Sequence, residues 1–281
     1  MNATAAAGVV RTAVEDLGVR RARLRWVVTE PVALTAPVAN ALRGALGAAL
    51  HEAGAAQAYA LAWDGAGLAG LWFRGWHGAS LDAGAHLEAD LVLLGSCGEH
   101  WSALSAGLGS LRVAGGRLRL QEVSWTGGAV GWGWPSAALL RPPAVAEHGS
   151  VVVEAVTPVQ LKQRGKPVRS APPLAVLALS AGDRLRKLHD RWCGGHRDLT
   201  AAVGTLFRAS SALPVELAPT EVVQVARNRS DQRIQGIVGA WRYSDCGPAA
   251  GLLGVAELLG VGKGTAFGCG ALRVGGERWI S

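Results

Sequence analysis

Two stretches of the chain repeat one order of elements, and that repetition narrows the available folds more than any single motif does. In the first, Ala22 to Thr29 alternates, with Leu24, Trp26 and Val28 on one face and Arg23, Arg25 and Val27 on the other, the mark of a half-buried strand. Asn40 to Glu52 is rich in Ala and Leu and reads as a helix; Ala58 to Trp63, Leu68 to Phe73 and His86 to Gly95 read as strands. A short helix over Ser102 to Leu108 and an alternating strand over Arg117 to Val123 complete this run. Beyond a Pro-rich hinge, Pro135 to Pro143, the order returns. Ser150 to Thr157 reads as a strand, Leu174 to about Leu206 as helix broken at Gly194-Gly195, Val222 to Arg227 and Gln235 to Tyr243 as strands, Ala249 to Leu259 as a helix and Ala271 to Val274 as the closing strand. Each run is a βαββαβ unit, the first with one extra strand. The expectation is an α+β protein of two tandem ferredoxin-like (RRM-like) domains, the N-terminal over 1–145 and the C-terminal over 146–281. The second carries a basic helical insertion at about 174–210 and a Gly-rich loop at 260–270.

At 281 residues the chain is long enough for two domains, each burying its own core. The formal net charge is +7: residues 1–150 hold 11 Arg against 11 acidic residues, and residues 151–281 hold 17 Lys plus Arg against 10. The whole excess sits in the second half, which points to a polyanionic partner for that half. A plainer reading competes, since 24 of the 28 cations are Arg amid heavy Ala and Gly, as a GC-rich genome would produce. Cys97, Cys193, Cys246 and Cys269 stand 96, 53 and 23 positions apart, which gives no zinc ligand pairs and no disulfide framework and fits a reducing cytoplasm. Met1 to Gly18 holds Glu15 and Asp16 and lacks a sustained apolar core. With no run of about 18 apolar residues, the expectation is a soluble cytoplasmic protein with no membrane partner.

Between the last helix and the last strand lies Gly260-Val261-Gly262-Lys263-Gly264-Thr265-Ala266-Phe267-Gly268-Cys269-Gly270, with five glycines and one cation. Glycines allow positive φ and close approach, so the loop's N–H groups could converge on a phosphate beside Lys263. A P-loop requires Ser or Thr after the Gly-Lys pair and a following helix, whereas Gly264 follows Lys263 and the helix comes first. A dinucleotide fingerprint requires a small residue where Phe267 stands. A nucleotide-binding enzyme is therefore disfavoured.

The loop, following a helix that ends in Leu258-Leu259, resembles the C-terminal signature of the RAMP-superfamily endoribonucleases that process CRISPR precursor RNA, read as Gly-x-Gly-Lys-Gly-Thr-x-Phe-Gly-x-Gly. Ser150 to Arg169, with Val151-Val152-Val153, Thr157-Pro158 and Leu161-Lys162-Gln163-Arg164-Gly165-Lys166, is similar to the opening of that family's C-terminal domain. Asn40-Ala41-Leu42-Arg43-Gly44-Ala45-Leu46-Gly47 resembles its first helix, and Gly107-Leu108-Gly109 before Gly116-Arg117-Leu118-Arg119-Leu120 the end of its N-terminal domain. Four segments in family order cover most of the chain. The resemblance implies the same tandem fold, and a CRISPR repeat-specific endoribonuclease that grips a repeat stem-loop and cuts one phosphodiester at the stem base. Its implied partners are repeat RNA, the mature crRNA and other subunits of a CRISPR effector complex. The implied cleavage uses the ribose 2′-hydroxyl and leaves a 2′,3′-cyclic phosphate and a 5′-hydroxyl, so it requires no metal and no cofactor. An idle RAMP-type subunit that only coats crRNA is the alternative.

Such cleavage needs a base for the 2′-hydroxyl, a cation for the phosphate and an acid for the leaving oxygen. Many members of the family place a histidine on or just after the first helix, where this sequence has His51. Arg23 and Arg25 on the first strand and Arg242 on the strand before the Gly-rich region are the other catalytic candidates, as guanidiniums that orient and neutralise phosphate. In the long helix Leu185, Leu188 and Trp192 form an apolar stripe, and Arg184, Lys187 and Arg191 repeat that spacing about 100° away. Flanked by Arg186, Arg197 and Arg208, this helix is expected to lie along an RNA stem, although i,i+4 partners such as Asp183 to Lys187 would equally suit a solvated face. Arg164, Lys166, Gly262, Lys263 and Gly264 complete the expected RNA contacts. His77, among aromatic residues, reads as core before base-stacking; Cys193-Gly194-Gly195-His196 lacks a second ligand pair, so no metal is expected; and Arg43 could contact RNA or brace the interdomain junction, and reads as the brace.

Overall fold

The computed structural model describes residues 1–34, 37–63, 68–75, 78–126, 150–209, 211–226 and 233–275; the Pro-rich hinge and His77 lie outside them. Two compact units emerge, Gly18–Leu140 with Ala266–Gly268, called the first unit below, and Met1–Leu17 with Arg141–Thr265 and Cys269–Ser281, the second. They are discontinuous where the expected division at 145/146 is linear, because the N-terminal helix α1 (Ala3–Leu17) packs with the second half of the chain.

In the first unit the elements are β1 (Arg20–Glu30), β2 (Val32–Leu34), α2 (Val38–Glu52), α3 (Ala56–Ala62), β3 (Leu71–Arg74), β4 (Ala79–Leu81), β5 (His86–Leu93), α4 (Trp101–Gly109), β6 (Ser110–Val113) and β7 (Gly116–Trp125). The main sheet runs β3-β5-β1-β7-β6, and β2 pairs with β4 apart from it. Setting aside β6, a strand not expected from the sequence, the order is second, third, first, fourth of a βαββαβ unit, the ferredoxin-like arrangement. Alternation along β1 sends Leu24, Trp26 and Val28 into the core, with Leu42, Leu46 and Leu50 of α2 and Leu104 and Leu108 of α4 buried as well. Trp26 Nε1 donates to the Leu108 carbonyl at 3.1 Å, so the largest core side chain leaves no unmet donor. Its truncation to Ala would cost about 3–5 kcal/mol.

One expectation fails here: Ala58 to Trp63 is not a strand, since Ala58 to Ala62 lie in α3 and Trp63 follows its end. A short apolar run has no decisive period, and the Ala-rich segment takes the helix and packs against α2.

The second unit holds α1 followed by β8 (Ser150–Val159), β9 (Lys162–Gln163), β10 (Lys166–Pro167), α5 (Leu174–Trp192), α6 (Leu199–Arg208), β11 (Pro214–Ala226), β12 (Arg233–Ser244), α7 (Ala250–Leu259) and β13 (Leu272–Gly275). Its sheet runs β11-β12-β8-β13, again second, third, first, fourth, and α5 with α6 forms the helical insertion. Trp241 and Tyr243 are fully buried beneath the helices. The Tyr243 hydroxyl donates to the Pro172 carbonyl at 2.6 Å, and burial raises its pKa above the ordinary phenol value. Along α1, Ala6, Val10, Ala13, Val14 and Leu17 make a buried stripe at helical spacing that packs on α5 and α6. None of the described helices is long and apolar enough to cross a membrane.

Candidate functional site

The Gly-rich loop is held chiefly by its own backbone. Val261 N–H donates to the Gly270 carbonyl at 2.9 Å, Lys263 N–H to Gln160 at 3.0 Å, and Gly270 N–H to Pro158 at 2.9 Å. Gly262 N–H donates to Ser180 Oγ at 2.9 Å. The expected anion cradle is thereby corrected at Gly262 and Lys263, whose amides already have partners. Gly262 has φ +76°, and a Cβ there would lie 2.3 Å from the Gln160 carbonyl oxygen, so glycine is required for packing. What the loop presents outward is the exposed Lys263 side chain, with Gly264 half-buried beside it.

The bridge between Gln160 and Lys263 sets that cation at the root of the β9–β10 hairpin. Lys166 pairs with Gln163 across a two-residue turn in which Arg164 has φ 50° and Gly165 φ 79°, the type I′ pattern. An arginine in left-handed backbone is unusual, since Asn, Asp or Gly meets less steric resistance there. Lys162, Arg164, Lys166 and Arg169 are all exposed, and the sequence contains no acidic residue from Ala155 to Gly182.

On α5 the expected basic stripe is corrected at Arg184. Only 8% exposed, its guanidinium donates from Nε to the Leu259 carbonyl at 2.7 Å, satisfying an orphan acceptor at the end of α7. Burial lowers its pKa to about 10, which leaves it charged at neutral pH. Arg186 bridges Asp183 and Asp190, each at 3.0 Å, and Lys187 Nζ lies 2.6 Å from Asp183 Oδ2. Partial burial works to raise the Asp183 carboxyl, but hydrogen bonds from Lys187 and Arg186 outweigh it and hold the group below its usual range. Arg191 lies over the Trp192 ring at 5.1 Å, and Arg197 is exposed beyond the helix.

In the first unit, Arg23 and Arg25 stand on the outer face of β1. Arg23 Nε is 3.4 Å from Asp90 and Arg25 Nε 3.9 Å from Glu88, both cross-strand partners on β5. His51, exposed in the last turn of α2, belongs to the helical layer over the opposite face of that sheet. Within this unit the sheet therefore separates His51 from Arg23 and Arg25. In the second unit Arg242 is half-buried and alternates with the core residues Trp241 and Tyr243, so it faces away from the helices. Arg43 is a brace within the first unit, where the expectation was the interdomain junction: it is buried, donates from Nε to the Ala62 carbonyl at 3.1 Å, and lies over the Trp63 ring at 4.8 Å.

A polar contact not anticipated from the sequence ties α1 to α5, where buried His189 Nε2 lies 3.3 Å from Asp16 Oδ2. His196 stands edge-on to His189 at 5.8 Å, and Cys193 Sγ is 3.6 Å from the Asp16 carbonyl. The 173-residue separation of Asp16 from His189 left no local signal for it. Among the described residues no group of three or more His, Cys, Asp or Glu could hold a metal ion.

These two units, with matching strand orders, define a tandem ferredoxin-like fold. Residues 153–272 match the family model of the CRISPR-associated endoribonuclease Cas6, and the resemblance to repeat-cleaving CRISPR endoribonucleases stands on that match together with the fold. Thermus thermophilus Cas6 is similar in structure at 17% identity and TM-score 0.60, with 91% of this chain and 98% of that one covered. A Cas6 solved as a product complex gives TM-score 0.62 at 17% identity over 91% of this chain and 99% of that one. A Cas6-related protein from Pyrococcus furiosus gives 0.55 at 12% identity over 93% and 100%. Comparison with the curated proteins gives no match.

Proposed function

We propose that the protein is a metal-independent endoribonuclease that binds a CRISPR repeat stem-loop and cleaves precursor crRNA at the base of the stem. The observation that carries this reading is the match of residues 153–272 to the Cas6 endoribonuclease model. The 2′-oxygen attacks the adjacent phosphorus, the P–O2′ bond forms and the P–O5′ bond breaks, leaving a 2′,3′-cyclic phosphate and a 5′-hydroxyl. His51 moves the proton, either from the 2′-hydroxyl or to the departing 5′-oxygen, from an accessible helix end. Arg23, Arg25 and Arg242 are the candidates for holding phosphate charge; Arg23 and Arg25, paired with Asp90 and Glu88 across the sheet from His51, form an alternative site to His51 and are not its partners on one phosphate.

For RNA binding, the geometry favours the β9–β10 hairpin. Arg164, Lys166 and Lys263 have exposed, clustered charge, with Arg191 and Arg197 as further contacts, whereas Arg186 and Lys187 face carboxylates and Arg184 is buried. The product is held afterwards as mature crRNA and passes with the protein into an effector complex in the cytoplasm.

The test is cleavage of labelled repeat hairpins by the Arg23→Ala, Arg242→Ala and His51→Ala variants. Loss of cutting with retained binding in at least one of them is expected. Undiminished cutting by all three overturns the site, and protection of the RNA without cleavage by the unaltered protein identifies a crRNA-coating subunit instead.

A further inference from the structure

The side chains beside His51 form a stack that begins in the Gly-rich loop. Phe267 has its ring centre 5.4 Å from the Arg43 guanidinium, which in turn lies 4.8 Å from the centre of Trp63. Trp63 stacks on Tyr59 at 4.9 Å and 9°, and Tyr59 meets the His51 imidazole at 6.2 Å and 57°. All five residues belong to the first compact unit.

Each link is anchored independently of the stack. Arg43 is fixed by its bond to the Ala62 carbonyl, and Trp63 N–H donates to the Tyr59 carbonyl at 3.0 Å. Gly47 makes room for Trp63, since a Cβ there would fall 2.2 Å from the indole ring. At Gly268, next to Phe267, a Cβ would fall 2.3 Å from Ala39 Cβ, so the loop backbone closes directly on the start of α2. A planar guanidinium can be sandwiched between two rings, which a lysine ammonium cannot.

An imidazole on the exposed last turn of a helix has several rotamers open to it, and proton transfer requires one. The half-buried Tyr59 ring, held from behind by Trp63, limits that choice through a tilted aromatic contact. We propose that the stack Phe267–Arg43–Trp63–Tyr59 orients the His51 ring for cleavage, with Tyr59 the positioning residue beside it and Phe267 the far anchor. This rests on the reading of His51 as the proton-transferring group. It also gives the phenylalanine of the Gly-rich loop a purpose other than binding an anion.

The experiment uses the full-length protein and a repeat hairpin that it cleaves, and measures single-turnover rate and Kd separately for Tyr59→Leu, Tyr59→Phe, Phe267→Leu and His51→Ala. Tyr59→Leu is expected to slow cleavage about 10- to 100-fold with little change in Kd, since a small misplacement near the chemistry is that costly. Tyr59→Phe should recover most of the rate, and Phe267→Leu should show a weaker slowing. Cleavage by Tyr59→Leu at the normal rate while His51→Ala is slow ends the proposal and leaves the reading of His51 intact. Normal cleavage by His51→Ala ends both. A parallel loss of affinity and rate in Tyr59→Leu also overturns the proposal, because Tyr59 would then serve RNA binding. If Tyr59→Leu does not fold, the His51 ring proton resonances decide: Phe267→Leu should move them, and unmoved resonances count against the stack.

Discussion

Helix α5 and the hairpin segment Lys162 to Arg169 carry four cations each: Arg184, Arg186, Lys187 and Arg191 in one, Lys162, Arg164, Lys166 and Arg169 in the other. The fold treats them differently. On α5 one guanidinium is buried against a helix end, and two cations face Asp183 and Asp190 at hydrogen-bond distance. On the hairpin all four are exposed, in a stretch that has no acidic residue to answer them. A count of positive charge does not locate a polyanion surface. The placement of carboxylates at i−3, i−4 and i+4, and the burial of one stripe member, decide how much of that charge faces solvent.

The largest effect is expected where the difference is greatest. Replacing Lys162, Arg164 and Lys166 together by Ala should weaken binding of a repeat hairpin about 100-fold and flatten the log affinity against log salt plot by roughly two to three units, as loss of that many phosphate contacts requires. Filter binding across a salt series measures both. An unchanged slope would break the comparison.

Next in size, Arg184→Met should leave RNA affinity unaltered yet lower unfolding free energy by about 1–3 kcal/mol, because the Leu259 carbonyl loses its buried donor. Chemical denaturation checks this, and a loss of affinity without a loss of stability would return Arg184 to the interface. Smaller still, Arg186→Ala with Lys187→Ala should change hairpin affinity less than about 3-fold, since surface cations already answered by carboxylates release few counterions.

The smallest effect concerns Asp183. Its folded pKa is depressed, so the stability that it contributes is present above the unfolded carboxylate range and disappears as pH falls through the folded value. Asp183→Asn should cost under about 1 kcal/mol at neutral pH after solvent screening, and the gap to the unaltered protein should close in acid.

Much of this could be read from residue order. The alternation of Leu24, Trp26 and Val28 against Arg23 and Arg25 gave β1 and both of its faces, and Gly194-Gly195 marked the break between α5 and α6. The ion pairs on α5 were legible too, as the i,i+4 spacing of Asp183 and Lys187. Other features depend on partners distant in sequence. Arg184 has stripe spacing whether it faces solvent or, as here, Leu259 across 75 positions. The amides of the Gly-rich loop look available until Gln160, Pro158 and Ser180 are brought against them. For α1, the helical spacing of Ala6, Val10, Ala13 and Leu17 is itself a local signal of its buried stripe. That Arg43 braces was expected, but at an interdomain junction; its place between Trp63 and Phe267, the latter 224 positions along the chain, had no local signal.

The most direct test of the account is the chemistry of the cut. Incubated with a cognate repeat hairpin in excess EDTA, the protein is predicted to make one break at the stem base, with a 2′,3′-cyclic phosphate upstream and a 5′-hydroxyl downstream by mass spectrometry. Tight binding without a break, or a break that requires a divalent metal and leaves a 5′-phosphate, would contradict it.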